Sequence, residues 1–277
     1  MDYHSDRFKD HSLMVYAGDK VVALLPASEH GTEIRSHGGL TYGGLIVQPK
    51  FGQANNLAVF EEITKYFKNL GFQRFLYKSV PHIYHRHLTE DDAYSLFRLK
   101  AECFRVDAST TIELQNPLAV SSLRKRGAKK AIKAGCAVKI SDDFEAYFQI
   151  LAERLSDKYD AVPTHTAKEM ANLQSQFPEN IKLFATFMNE EMIAGTIVYD
   201  CGACVHTQYL ASSPKGFEIG GLDVAILEAI NYYKDRKYFD FGISTEQNGQ
   251  HLNEGLKQQK EMFGGQTVVY SHYSLTF

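Results

Sequence analysis

The sequence predicts an α/β (α+β) protein of two lobes, each a mixed, mostly antiparallel sheet flanked by helices. Three observations predict it. The chain has 277 residues, too many for one small core and suited to one large or two modest domains. Short apolar runs of strand type alternate along it with stretches of helical period. The strand-and-helix order of the second half repeats that of the first, although no sequence identity between the halves is visible.

Composition narrows the class. With 44% hydrophobic and 23% charged residues, the chain is an ordinary globular sequence. Its 30 basic residues stand against 33 acidic ones, so whole-protein attraction to nucleic acid is not expected, although a local basic patch stays open. The longest apolar runs, such as Val21 to Ala27 and Phe184 to Met188, are too short to span a bilayer. No basic segment followed by an apolar one marks an export signal, so a cytoplasmic location is expected. In that setting Cys103, Cys136, Cys201 and Cys204 read as reduced thiols.

The first lobe opens on a hairpin. Ser12 to Tyr16 and Lys20 to Pro26 are apolar runs joined by Ala17-Gly18-Asp19, a tight-turn sequence. A third strand is expected over Thr32 to Ser36. Ser36 to Leu45 holds four glycines with His37, Thr41 and Tyr42, which fits either a binding loop or a bulged strand and turn. No Gly-Lys-Ser/Thr ends it, so it is not a Walker loop. Leu57, Phe60, Ile63, Phe67 and Leu70 recur at helical spacing over Asn55 to Leu70, and Gly71 stops the helix. Phe72 to Val80 is a strand. Thr89 caps a helix with an acidic first turn that runs to about Lys100. Cys103 to Leu114 is a strand, and Asn116-Pro117 marks the expected boundary between lobes 1–116 and 117–277.

The second lobe starts with a helix over 121–134 that carries Arg124, Lys125, Arg126, Lys129, Lys130 and Lys133 and no acid. Its i,i+4 neighbours repel by about a few tenths of a kcal/mol each, which acidic neighbours or an anionic ligand would offset. A solvated face is the commoner explanation of such a run. Val138 to Ile140 is a strand, Asp142 and Asp143 cap a helix from Phe144 to about Lys158, and a further helix follows Pro163 and runs to Phe177. Ile181 to Met188, Met192 to Tyr199 and Ala203 to Leu210 are strands, then Gly220 to Asp235 a helix and Tyr238 to Ile243 a strand. Cys201-Gly202-Ala203-Cys204 lies between strands, not at a helix start, and reads as a hairpin turn; a zinc site would need two more ligands, and only His206 is near.

The last strand runs into Ser244, Thr245, Glu246, Gln247, Asn248 and His251. Ligands of α/β sheets sit beyond the carboxyl ends of strands. Asp240-Phe241-Gly242 followed by Lys260-x-x-Phe263-Gly264 resembles the C-terminal signature of the Fem-like, BioF-type branch of the GNAT acyltransferase superfamily. Gly242-Ile243-Ser244-Thr245, Leu252-Asn253-Glu254-Gly255-Leu256 and Gln259-Lys260-Glu261 are most similar to its acetyltransferase-like members near surface-polysaccharide genes. The resemblance is strongest from residue 121 onward. It implies tandem GNAT-like lobes, the basic helix as linker and an acceptor cleft between the lobes. It also implies more chain ahead of the first hairpin than is present here.

The activity it implies is transfer of an acyl group, acetyl in the first place, from acyl-CoA to an amine or hydroxyl of a small acceptor. The implied acceptor is an amino sugar of cell-envelope polysaccharide synthesis, in free or nucleotide-linked form. Attack is direct, with no metal. Such transfer needs an unprotonated nucleophile, donors for the oxyanion and a proton for the leaving group. Glu246 and His251 are candidate bases after the last strand, and His206 and Tyr209 lie on the strand that faces the acyl donor in GNAT folds. Lys215, Gly216, Gly220 and Gly221 lie where a GNAT protein binds pyrophosphate, without the family's usual spacing; a plain glycine-rich loop is the other reading. His37, Tyr42, Arg124, Arg126, Ser244, Asn253, Lys257 and Lys260 are candidate substrate-binding residues, with Lys260 and Glu261 also readable as a surface pair. Two rivals are an aminoacyl-tRNA-dependent Fem-type aminoacyltransferase, for which one basic helix is thin support, and a non-catalytic GNAT-fold binding protein.

Overall fold

A computed structural model describes residue 3, residues 5–159 and residues 162–277. The first elements are β1 (Lys9–Asp10), β2 (Leu13–Ala17), β3 (Lys20–Leu25), β4 (Ser28–His30), β5 (Glu33–Arg35), β6 (Ile46–Val47), α1 (Gln53–Asn69), β7 (Arg74–Lys78), α2 (Asp91–Arg98) and β8 (Glu102–Glu113). Then follow α3 (Ser122–Lys133), β9 (Ala137–Ser141), α4 (Phe144–Tyr159), α5 (Ala167–Gln176), β10 (Ile181–Met188), β11 (Glu191–Asp200), β12 (Cys204–Ser212), α6 (Pro214–Ile219), α7 (Gly221–Tyr232) and β13 (Tyr238–Ile243). The chain closes with β14 (Thr245–Glu246), β15 (His251–Leu252), α8 (Glu254–Glu261) and β16 (Gln266–Thr276). Among the described residues no helix is long and apolar enough to cross a membrane.

Two compact units divide the chain. One holds Met1–Ala108, Thr245–Leu252 and Val268–Phe277; the other holds Ser109–Ser244 and Asn253–Thr267. The division between Ala108 and Ser109 falls inside β8, whose residues Ser109 to Glu113 pair with β13.

In the first unit the strand order is β1-β4-β5-β7-β16, antiparallel except for β5 and β7. Strands β2 and β3 form the expected hairpin, with Gly18 at φ 60, and β6 pairs with β3. One strand face is apolar. Ile34, Phe75, Tyr77 and Leu275 meet Val59, Phe60, Ile63 and Phe67 of α1 in one buried cluster. Each such side chain contributes roughly 1.5–3 kcal/mol by leaving water.

In the second unit the order is β8-β13-β12-β11-β10-β9, antiparallel except for β12 and β13. Helix α7 covers one face, with Ile226, Ala229 and Tyr233 against Phe184, Val198, Val205 and Phe239. Helices α4 and α5 cover the other, with Tyr147, Phe148, Leu151 and Met170 against Leu183, Ala185 and Ile197. The helix expected over Gly220 to Asp235 is α7, and the stretch ahead of it, read as a glycine-rich loop, is the short helix α6. Ser213 caps α6 by accepting from Gly216 N, and Gly220 at φ 86 ends α6 and begins α7. The C-x-x-C stretch is the β11–β12 turn, with Cys201 N donating to Cys204 O and Gly202 at φ 89.

Candidate active site

The second unit holds a pocket of about 460 Å³ between α3 and the α6–α7 turn. Arg124, Arg126, Gly127 and Lys130 line it from α3, and Gly216 to Gly220, Leu222 and Asp223 line the far wall. Local sequence builds it. Ser121 caps α3 by accepting from Arg124 N, and the small residues Gly127, Ala128 and Ala131 form its inner stripe. That stripe lets main chains meet. A Cβ on Gly220 would lie 2.4 Å from Gly127 O, and one on Gly127 would lie 2.0 Å from Asp223 Oδ2. Arg124 Nη1 donates to Asp223 Oδ1 at 3.0 Å and the guanidinium lies 5.4 Å from the Phe263 ring centre. Burial raises the Asp223 carboxyl pKa, and Arg124 opposes the shift. Lys130 Nζ donates to Glu218 O at 2.9 Å. Arg126 is exposed, and among the described residues no carboxylate pairs with it.

Beside this pocket the sheet opens. Strands β12 and β13 are parallel and pair only over Cys204–His206 and Tyr238–Asp240. Strand β12 then runs on to Ser212 and β13 to Ile243 without pairing each other. The α6 helix starts directly after β12, so the pocket lies at the carboxyl end of a strand that has left its neighbour.

At the root of the opening stands Asp240, fully buried. It accepts from Ser109 Oγ at 2.6 Å, Thr111 Oγ1 at 2.6 Å, His206 Nδ1 at 3.1 Å and Gly242 N at 3.2 Å. Burial alone would raise its pKa. The His206 bond and charge, then the two hydroxyls, outweigh burial and hold the carboxyl well below the ordinary range. The β8–β13 register slips between Asp240 and Ile243, and Gly242 sits at φ 72 in this bulge. Lys260 Nζ donates to the bulge carbonyls Gly242 O at 2.9 Å and Ile243 O at 2.7 Å. Phe263 packs on Phe241, ring centres 5.7 Å apart. The two halves of the C-terminal motif therefore clamp each other.

No family model matches the sequence, and no curated protein matches it. Solved structures do. FemX superposes with TM-score 0.69 at 11% identity over 99% of this chain and 90% of that one. L-PGS from Bacillus licheniformis gives 0.65 at 10% over 98% and 89%. A tandem GNAT protein from the clavulanic acid biosynthesis pathway gives 0.52 at 10% over 96% and 82%. The chain carries the Fem-like, tandem GNAT-like fold.

Within this Fem-like fold the expected site residues divide. Arg124, Arg126, Gly216 and Gly220 line the pocket, whereas Lys215 pairs with Glu191 on the surface at 2.7 Å. Gly216, Gly220 and Gly221 are already explained by packing, since a Cβ on Gly216 would meet Ile193 O at 2.2 Å and one on Gly221 would meet Ala194 Cβ at 3.3 Å. Val205 and Phe239 point to α7, so pleating turns His206 and Asp240 to the other face. An extra residue, Gln208, brings Tyr209 to that face too, beside Phe148 and with its hydroxyl 2.7 Å from His165 Nδ1. Burial raises the Tyr209 pKa.

The lysines are not surface groups. Burial pushes Lys260 down to about 8, with its amine on the bulge carbonyls, and also lowers Lys257, which donates to Ser109 O at 3.0 Å and Thr110 Oγ1 at 2.9 Å. Reading Lys260 and Glu261 as an exposed pair is thereby corrected: Lys260 is 4% exposed. Asn253 caps α8 by accepting from Leu256 N, and Ser244 is buried with its Oγ unpaired among the described residues.

In the first unit Glu246 and His251 are register partners on the β14–β15 hairpin, both exposed. His37 is buried at φ 50, and its ring accepts from Gly39 N at 3.2 Å. Tyr42 packs on Tyr84 with tilted rings, 4.6 Å between centres. Asp223, Ser109 and Thr111 were not foreseen, and Asp240 stood in the signature without a role of its own. An acid inside the apolar run Tyr238 to Ile243 is the signal that could have found Asp240.

Proposed function

We propose that the protein is an acyltransferase that moves an acyl group, acetyl in the first place, from acyl-CoA to an amine or hydroxyl of a small acceptor. The acceptor class implied by the motif is an amino sugar of cell-envelope polysaccharide synthesis, which would put the enzyme in the cytoplasm with its donor. The pocket between α3 and the α6–α7 turn carries this reading. It is cationic on one wall, lies at the carboxyl end of β12 and adjoins the opening between β12 and β13. Arg126 and Lys130 would meet the donor phosphates. The acyl chain would enter the strand opening, where unpaired backbone can hold it.

In the transfer, the acceptor nucleophile attacks the thioester carbonyl, the oxyanion collapses and the thiolate leaves with a proton. His206 is the group best equipped to take the acceptor proton. Asp240 holds its Nδ1 side, which fixes the ring and favours a proton acceptor at Nε2.

A second reading keeps the fold and takes aminoacyl-tRNA as donor. The outer face of α3 favours it: Lys125, Lys129 and Lys133 are exposed and lack carboxylate partners among the described residues.

Isothermal titration with acetyl-CoA, longer acyl-CoAs and charged tRNA separates these. The expected result is micromolar acyl-CoA binding that Arg126→Glu weakens by about tenfold or more. Heat with tRNA alone would transfer the reading to the second donor. Heat with none would leave a binding protein without a donor site. Arg126 is the residue to change, because a side chain at Gly220 would collide with Gly127.

A further inference from the structure

The strands of the first unit have two faces of opposite character. Ile34, Phe75, Tyr77 and Leu275 point to α1. The residues between them point the other way. Arg35 is the register partner of Leu76 on β7, and Lys78 of His272 on β16. Pleating therefore puts Arg35, Lys78 and His272 on one face. Asp107 of β8 joins them, with its Oδ2 3.4 Å from His272 Nε2 and 2.7 Å from Arg105 Nε.

This face is polar and half-buried, with the Arg35 and Arg105 side chains 40% and 27% exposed at its rim. The side chains of His272 and Asp107 are 12% and 2% exposed. Its cations outnumber its anions. Asp107 serves Arg105 and also accepts from Thr245 Oγ1 at 2.7 Å. Glu33 is shared by Arg35 and Arg74. Lys78 has no carboxylate among the described residues; its amine donates to the carbonyls of His37, Gly38 and Leu40. The buried Nε of Arg35 finds no acceptor among them. Three groups register the surplus. Burial, then Arg35 and Arg105, push Lys78 down to about 8. Burial, then Arg105, with Lys78 adding, push His272 to about 4. Burial, then Arg35 and Lys78, lower His30.

A partly buried surplus of positive charge on one strand face is costly until an anion sits on it. Guanidinium forks from two strands suit tetrahedral oxyanions. We propose that Arg35, Lys78, Arg105 and His272 form a phosphate-binding site in the first unit, taken by a phosphate group of the acceptor. Assigning the phosphate to the acceptor rests on the acyl-transfer reading; the binding of phosphate does not.

The test uses the full chain and inorganic phosphate, with no acyl donor present. The ring cross-peaks of His272, assigned from His272→Gln, are followed by NMR. Phosphate at millimolar concentration should shift them saturably. Arg35→Gln and Arg105→Gln should each weaken the effect by about tenfold, the loss of one charged hydrogen bond. Arg126→Glu should leave it unchanged. An unmoved His272, or a response in Arg35→Gln and Arg105→Gln as strong as in the unsubstituted chain, would overturn the site. Equal response to acetate would overturn phosphate in favour of a carboxylate. Phosphate binding here with no acyl-CoA binding elsewhere would keep this site and refute the donor reading, so the two failures are distinct.

Discussion

Two glycines of similar backbone and different surroundings separate conformation from packing at the residue scale. Gly220 has φ 86 and Gly135 has φ 83. A Cβ at Gly135 would meet nothing within 4 Å, whereas one at Gly220 would lie 2.4 Å from Gly127 O. Alanine at Gly135 pays only the left-handed penalty, about 1–2 kcal/mol. At Gly220 the collision adds about 1–3 kcal/mol. Chemical denaturation of Gly135→Ala and Gly220→Ala should show the second clearly less stable. Equal losses would mean that close approach of α3 and the α6–α7 turn is not what position 220 requires. The same scale explains Asp240. Four donors around one carboxylate make it the anchor of β8, β12 and the β13 bulge.

Charge governs the elements as much as packing does. Helix α3 buries Ala128 and Ala131 and turns Lys125, Arg126, Lys129, Lys130 and Lys133 outward. If the outer face served folding alone, a carboxylate at its centre would be better. Lys129→Glu replaces two repulsive i,i+4 neighbours, Lys125 and Lys133, by attractive ones, each worth about 0.2–0.5 kcal/mol in either direction. Unfolding free energy should rise by roughly 1–2 kcal/mol in urea titrations. A fall would show that Lys129 makes a favourable contact in the fold. Strand β16 teaches a different lesson. The elements read from the sequence stop at Ile243, and β16 lies beyond them although Thr267 to Tyr270 is a β-branched and aromatic run. Its partner β7 lies on the far side of the whole second unit's strands in the sequence, and no local pattern names a partner.

Buried lysines and tyrosines set the pH response of the molecule as a whole. Lys78 and Lys260 titrate near 8 in the folded chain against 10.5 unfolded. Between those values the unfolded chain holds more protons, so stability rises with pH. Tyr77 and Tyr147 are held well above their ordinary 10.0 by burial, so beyond pH 10 the unfolded chain loses protons that the folded one keeps, and stability falls. The thermal midpoint should climb from pH 8 to about 10 and drop above it. A flat or falling midpoint across that interval would show that the two amines are not held down by burial.

Local chemistry made the elements legible in the sequence. The cap Asp143, the turn at Gly18, the stop at Gly71 and the alternating apolar runs act over a few residues, so the sequence alone determined most strands and helices and the α/β class. The C-terminal motif likewise pointed to the Fem-like fold. It could not show that Lys260 is spent on Gly242 and Ile243, because that contact needs α8 folded onto a bulge. Nor could it gather Arg35, Lys78, Arg105 and His272, which lie on four strands far apart in the chain. Short-range forces write elements into sequence; sheet register, burial and the charge that burial isolates exist only after distant strands have paired.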